Sequence, residues 1–177
     1  MNRRLLGIVL FLLLVFPVPF EAKTQGKSRY VTLSYNDKQL LHDFNNELIL
    51  GRKLSYYLRN KTIVTVEDEV LAKLDTIIEK AEVVLEMFPA KLHITVVLMP
   101  SKKEVSSMYL AKYGKKANHI SYYSLQEDTI YISVDDTKLG VIAHEIGHAI
   151  VDHYFDVRPP YKIHELMAQF TEKHITD

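Results

Sequence analysis

The sequence contains no cysteine and no tryptophan, and only six glycines and six prolines occur among its 177 residues. Without cysteine the chain can form no disulfide, has no thiolate nucleophile and cannot build a cysteine-type structural zinc site. An excess of charge of one sign is also missing, because 22 basic side chains balance 22 acidic ones. No basic field is available to attract a phosphate backbone, which argues against nucleic acid as a partner.

The remaining composition is that of an ordinary globular domain. Hydrophobic residues make up 47% of the chain and charged residues 25%, close to the averages for folded soluble proteins. A chain of this length favours one domain with a substantial core.

The first 22 residues have the build of a secretory signal peptide. Arg3 and Arg4 precede an apolar run over residues 5–16, and Ala22 offers a small side chain for cleavage. The alternative is a retained membrane anchor, although the run is shorter than the roughly 20 residues that cross a bilayer. We therefore expect a secreted or periplasmic protein, with no membrane contact once the signal is removed.

The rest of the chain, residues 23–177, is predicted to be a single domain, in which residues 23–65 form an N-terminal extension of unknown role. Residues 23–36 are polar and predict a loose leader, with Asn36 or Asp37 capping the helix that follows. Thr65 and Asp68 form a typical N-cap pair. They precede a periodic apolar pattern that predicts a long helix over residues 66–88, ended by Pro89.

The second half of the chain predicts a strand, a hairpin and three helices. The strand covers residues 92–99, the hairpin covers 119–123 and 129–134, and the helices cover 102–113, 138–155 and about 163–175. Residues 135–137 supply the predicted cap of the second of these helices. The expected fold class is α+β, with a small mixed sheet and its hairpin packed on helices.

The segment His144-Glu145-Ile146-Gly147-His148 carries the clearest chemistry. Residues four apart lie on one helix face, so His144 and His148 can direct imidazole nitrogens at one metal ion. Zinc suits imidazole and carboxylate ligands, and Glu145 is placed to act as general base toward an attacking water. Gly147 predicts a close approach by another element. The alternative is a pair of core histidines beside a surface glutamate.

A catalytic zinc site of this kind needs a third protein ligand. We predict Glu165, because the break at residues 159–160 lets the last helix fold back against the first. As a simpler alternative, this carboxylate favours the positive end of a helix. Five other residues downstream of His148 are candidates: His153, Asp156, His164, Glu172 and His174. The main competitor among them is His164.

The pattern over residues 141–155 (VIAHEIGHAIVDHYF) and 164–170 (HELMAQF) resembles the gluzincin branch of the zincin metallopeptidases. The resemblance implies an active-site helix followed by a glutamate helix, with His144, His148 and Glu165 as zinc ligands and Glu145 as general base. Residues 120–123 and 130–132 resemble the hairpin whose outer strand binds substrate in that family. By the same resemblance, Asp152 is the carboxylate that orients a zinc-bound histidine.

Two features depart from the family pattern. Gln169 occupies a position where the thermolysin-like form has an acidic residue, which puts the supporting role of this position in question. Larger gluzincins also supply an oxyanion donor from a downstream domain. Tyr161 is the nearest candidate here, and Tyr154 and His164 are weaker ones.

The leading functional hypothesis is a zinc-dependent peptidase, an endopeptidase acting on peptides or proteins. The alternative is a catalytically weak or inactive module that keeps the fold and binds a peptide or protein along an edge strand. A third hypothesis is a closed structural zinc site with His164 or Asp152 as fourth ligand. A further hypothesis has residues 37–60 covering the cleft as a latency segment.

Overall fold

The computed structural model describes residues 24–177, so the predicted signal peptide lies outside the described residues. This part of the chain confirms the α+β class, with a mixed sheet and helices. None of its helices is long and apolar enough to cross a bilayer. The elements, in chain order, are β1 (Thr24–Lys27), β2 (Val31–Tyr35), α1 (Lys38–Glu47), α2 (Gly51–Leu58), α3 (Val66–Leu85), β3 (Ile94–Met99), α4 (Lys102–Tyr113), β4 (Ser121–Ser124), β5 (Thr129–Ser133), α5 (Leu139–Tyr154) and α6 (Tyr161–His174).

The five strands form one sheet in the order β1-β2-β3-β5-β4. The three central strands run parallel, and each edge strand is antiparallel to its neighbour. The predicted hairpin is confirmed as β4 and β5, and it leaves β4 at the edge of the sheet. This edge matters for function because β4 also contacts α5, the helix with the histidine motif.

The prediction of a loose leader over residues 23–36 is wrong, because this segment contains β1 and β2. In β2, Val31 and Leu33 are fully buried and pair with Ile94 and Val96 of β3. Their alternation with Thr32 is the period of a half-buried strand. The polar sequence of β1 does not predict a strand, because β1 is an exposed edge strand and needs little apolar surface.

Helix α3 passes through the centre of the core. The predicted cap is confirmed as a capping box, in which Thr65 accepts from the Asp68 amide and Asp68 accepts from the Thr65 amide. The helix ends earlier than predicted, at Leu85, because Glu86 takes the left-handed conformation (φ 54°). Its fully buried apolar face comprises Val70, Leu74, Ile77, Ile78 and Ala81.

Helices α1 and α2 pack against α3, and Phe44 and Leu54 belong to the same core as the sheet. Asp37 caps α1 by accepting from the Leu40 amide, as predicted. The N-terminal extension is thus part of the folded core.

Helices α5 and α6 form the closest helix pair in the described chain. A methyl group added at Gly147 of α5 would lie 2.8 Å from Thr171 Oγ1 and 3.0 Å from Ala168 Cα of α6. Only glycine allows this approach, which confirms the predicted reason for Gly147. The predicted cap of α5 at residues 135–137 is wrong, since the N-cap is Lys138 and no side chain caps this end.

Candidate active site

Three side-chain donors converge where α5 and α6 meet. Nε2 of His144 lies 3.2 Å from Nε2 of His148, since the two residues are one helical turn apart. The two carboxylate oxygens of Glu165 each lie 3.5 Å from one of these nitrogens. These residues form the one group of three or more His, Asp or Glu side chains within residues 24–177 that could hold a metal ion.

The surrounding contacts assign the imidazole protons. Nδ1 of His144 lies 3.1 Å from Glu172, a carboxylate that can only accept, so this nitrogen carries the proton. Nε2 of His164 lies 2.9 Å from Asp152 and donates to it in the same way. The free Nδ1 of His164 then accepts, at 2.7 Å, from Nδ1–H of His148. Both Nε2 atoms of the motif histidines are therefore left as bare lone pairs.

With the protons so placed, the two Nε2 lone pairs and the Glu165 carboxylate face one another at 3.2–3.5 Å, an arrangement that a cation among them would stabilise. Tetrahedral zinc, with bonds of about 2.0–2.1 Å to nitrogen, separates its ligand atoms by about 3.3–3.4 Å. The observed spacing of 3.2–3.5 Å matches this geometry. The three donors fit a zinc ion.

Burial and the neighbouring His144 lower the pKa of His148 to about 4. A desolvated imidazole resists protonation because the charged form loses its hydration. His148 is therefore neutral at physiological pH, which is the state in which an imidazole binds a metal.

The other candidates for the third ligand lie elsewhere. Two of them contact the Nδ1 atoms of the motif histidines, on the opposite side of each ring from Nε2. His164 contacts Nδ1 of His148, and Glu172 contacts Nδ1 of His144. The remaining three point to other partners or to solvent, with His153 against Asp128, His174 against Asp177 and Asp156 exposed. The structure thus brings Glu165, and none of the competitors, into the group of three donors.

The resemblance implies a direct contact between Asp152 and a motif histidine, but in the structure the side chain of His164 lies between Asp152 and His148. The Asp152 carboxylate contacts His164, and only His164 contacts the motif histidine His148. Gln169, which replaces an acidic residue of the family pattern, does contact the proposed ligand: its side-chain amide donates a hydrogen bond of 3.1 Å to Glu165. Neither Asp152 nor His164 belongs to the group of three, which leaves the fourth position of a tetrahedral site without a protein donor among the described residues.

Glu145 lies between α5 and the edge strand β4. It is 7% exposed, and it accepts a hydrogen bond of 2.6 Å from the hydroxyl of Ser121. Burial raises the pKa of Glu145, while the Ser121 hydrogen bond and the neighbouring His144 oppose the rise. The carboxylate is thus held beside the motif histidines and shielded from bulk water.

A cavity of about 550 Å³ opens in front of these residues. One wall is β4, and a second is the aromatic surface of α4. Tyr161, the nearest of the candidates for an oxyanion donor, also lines the cavity. The lining residues are Tyr109, Tyr113, His119, Ser121, Tyr122, Tyr123, Ser124, Leu125, Gln126, His144, Glu145, His148, Arg158, Tyr161 and Glu165. No residue of the 37–60 segment is among them, so the proposed cover of the cleft is not present in this structure.

Sequence reasoning missed the functional surroundings of the motif. Ser121 is 24 residues from Glu145, and Glu172 is 28 residues from His144, so neither contact leaves a local pattern. Arg158 was also missed, although its place in the turn between the two motif helices could have marked it.

Comparison of the chain with protein-family models, with curated proteins and with solved structures gives no match. The likeness to gluzincins therefore remains a resemblance carried by the residues of α5 and α6.

Proposed function

We propose that the protein is a zinc-dependent peptidase that hydrolyses peptide bonds in extended substrates, acting as an endopeptidase. The observation that supports this proposal best is the convergence of three potential ligand atoms of His144, His148 and Glu165, 3.2–3.5 Å apart, beside the buried carboxylate of Glu145. The fourth side of the group opens toward the cleft, where water and substrate can enter.

A zinc ion held by His144, His148 and Glu165 would supply the Lewis acidity for water activation and for polarisation of the scissile carbonyl. Glu145 accepts the proton of the attacking water and passes it to the leaving amine. The Ser121 hydroxyl holds one oxygen of Glu145 through its 2.6 Å hydrogen bond, which fixes the base relative to the cleft. Tyr161 lines the cleft and is the proposed donor to the developing oxyanion.

The edge strand β4 supports binding of an extended peptide. The Ser133 amide donates to the Ile120 carbonyl, so alternate residues from Ile120 onward bond to β5. The backbone groups of Ser121 and Tyr123 consequently face the open edge beside α5. A substrate strand that pairs with them would run along the sheet in front of the proposed metal site.

The test of catalysis is a comparison of wild type with Glu145→Gln, each loaded with zinc and given unfolded proteins and peptide mixtures. We expect both to bind one zinc per chain, and we expect cleavage by the variant to fall at least about 100-fold, the usual scale of a lost general base. Full cleavage by the variant, with zinc bound, would refute the proposed role of Glu145.

The second candidate is a peptide-binding module that does not cut. The open edge of β4 beside the cleft favours it, because main-chain pairing with β4 holds an extended peptide whether or not a bond is cut. A zinc-loaded wild type that binds unfolded peptides saturably but cleaves none of them would identify this second function.

A further inference from the structure

Arg158 is the one lysine or arginine among the described residues that line the cleft. It lies in the turn between α5 and α6, directly before Pro159 and Pro160. The proline ring restricts the backbone of the residue before it, so the turn presents the side chain from a stiff base. The side chain is 50% exposed, which leaves its outer part accessible from the cleft.

One edge of the Arg158 guanidinium faces a buried carboxylate. Its Nε lies 3.0 Å from Oδ1 of Asp152, which is only 3% exposed, and the two groups form an ion pair. The same oxygen lies 2.9 Å from Nε2 of His164, which is itself buried. Asp152 therefore has a partner on two sides, and its charge attracts the guanidinium to this end of the cleft.

The outer edge of the guanidinium is not used in this ion pair. The contact with Asp152 is made through Nε, and the side chain is 50% exposed, so the two terminal nitrogens are open to other partners. A guanidinium has five N–H donors in a rigid fork, and the two terminal nitrogens match the two oxygens of a carboxylate. The cleft therefore offers these two nitrogens to a substrate.

We propose that Arg158 binds a carboxylate of the peptide substrate and so makes the protein selective for acidic peptides. This inference rests on the proposed peptidase function. Glu145 and Glu165 at the metal end repel a carboxylate, whereas Arg158 attracts one, so the acidic group of the substrate lies at a distance from the bond that is cut. The carboxylate can come from an Asp or Glu side chain or from a free C-terminus.

Matched peptide hydroxamates test this proposal, because the hydroxamate ligates the metal and the peptide part then reports on the cleft. One pair ends in a free carboxylate or in a carboxamide, and a second pair, amidated at the end, carries Glu or Gln. Affinity is measured by titration calorimetry on the zinc-loaded protein comprising residues 23–177. We expect one acidic probe to bind at least fivefold more tightly than its neutral partner, and the pair that shows the difference identifies the source of the carboxylate.

The variant Arg158→Gln is expected to lose this preference while it binds the neutral probes as well as wild type does. Lys162→Gln is the matched control, since it removes one positive charge from an exposed position four residues further on. The control should keep the preference.

Two outcomes would overturn the proposal and can be told apart. If wild type bound acidic and neutral probes with equal affinity, Arg158 would not bind the substrate, and its role would be limited to the ion pair with Asp152. Failure of every hydroxamate to bind, the neutral ones included, would instead remove the metal site and the proposed peptidase function with it.

Discussion

The two motif histidines lie one turn apart on α5, yet they are held in place by different means. His144 is supported by Glu172, whose side chain is 48% exposed. His148 is supported by His164 and, through it, by Asp152, which are 1% and 3% exposed. Both arrangements place the proton on Nδ1 and leave Nε2 free. From this difference we expect the buried pair to stabilise the fold as well, and the exposed support to affect mainly the proposed metal site.

The largest expected effect follows from removal of the buried support. His164→Ala leaves a cavity and removes a hydrogen-bond partner from both His148 and the buried Asp152. We expect the free energy of unfolding of the zinc-free chain to fall by about 2–4 kcal/mol. Urea unfolding in the presence of a chelator measures this change without a contribution from metal binding.

The control for this variant is His153→Ala, on the neighbouring helix α5. His153 also contacts a carboxylate, Asp128 at 2.8 Å, but both side chains are partly exposed. Its removal should cost less than about 1 kcal/mol. Similar losses for the two variants would contradict the distinction between buried and exposed supports.

The glycines of α5 provide a second contrast. Gly147→Ala forces a methyl group against the backbone of Ala168, whereas Gly140→Ala meets only the flexible side chain of Glu172 at 3.3 Å. Overpacking at Gly147 should lower the free energy of unfolding by about 1–2 kcal/mol and weaken zinc binding, because α6 carries Glu165. Gly140→Ala should leave stability unchanged or raise it slightly, through better helix propensity. Thermal unfolding and zinc titration of both variants measure these effects, and equal losses would show that helix packing does not position Glu165.

Removal of the exposed support should act on the metal more than on the fold. Glu172→Ala takes away the acceptor of the His144 Nδ1 proton, and we expect zinc affinity to fall about tenfold. Glu172→Gln keeps an oxygen acceptor and should lose less. The free energy of unfolding of the zinc-free variants should change by less than about 0.5 kcal/mol. Competition with a chromogenic chelator gives the affinities, and an unchanged affinity of the alanine variant would exclude the supporting role.

Local sequence patterns predicted the parts of the fold that depend on neighbours in the chain. The Thr65 and Asp68 cap is a contact between residues three apart, and the two histidines of the motif are four apart. Glu165 could be predicted as well, because a proline pair shortly before it marks the reversal that brings α6 onto α5. Each of these features depends on residues that are close together in the sequence.

The sequence did not reveal what depends on distant pairing. Strand β2 is short, and its place became clear only through its pairing with β3, about 60 residues away. Ser121 and Arg158 are common surface residue types, and only Arg158 has a local mark, its place in the turn directly before Pro159. Their proposed roles arise from the fold, which places one against Glu145 and the other against Asp152.

The most direct test of the central claim is the zinc stoichiometry of purified residues 23–177, measured by elemental analysis for wild type and for Glu165→Ala together. Three ligands of the observed geometry should hold one zinc per wild-type chain, and loss of the carboxylate should weaken binding strongly. A wild type that binds no zinc, even when zinc is supplied in excess, would contradict the account and return the histidine pair to a structural role in the core.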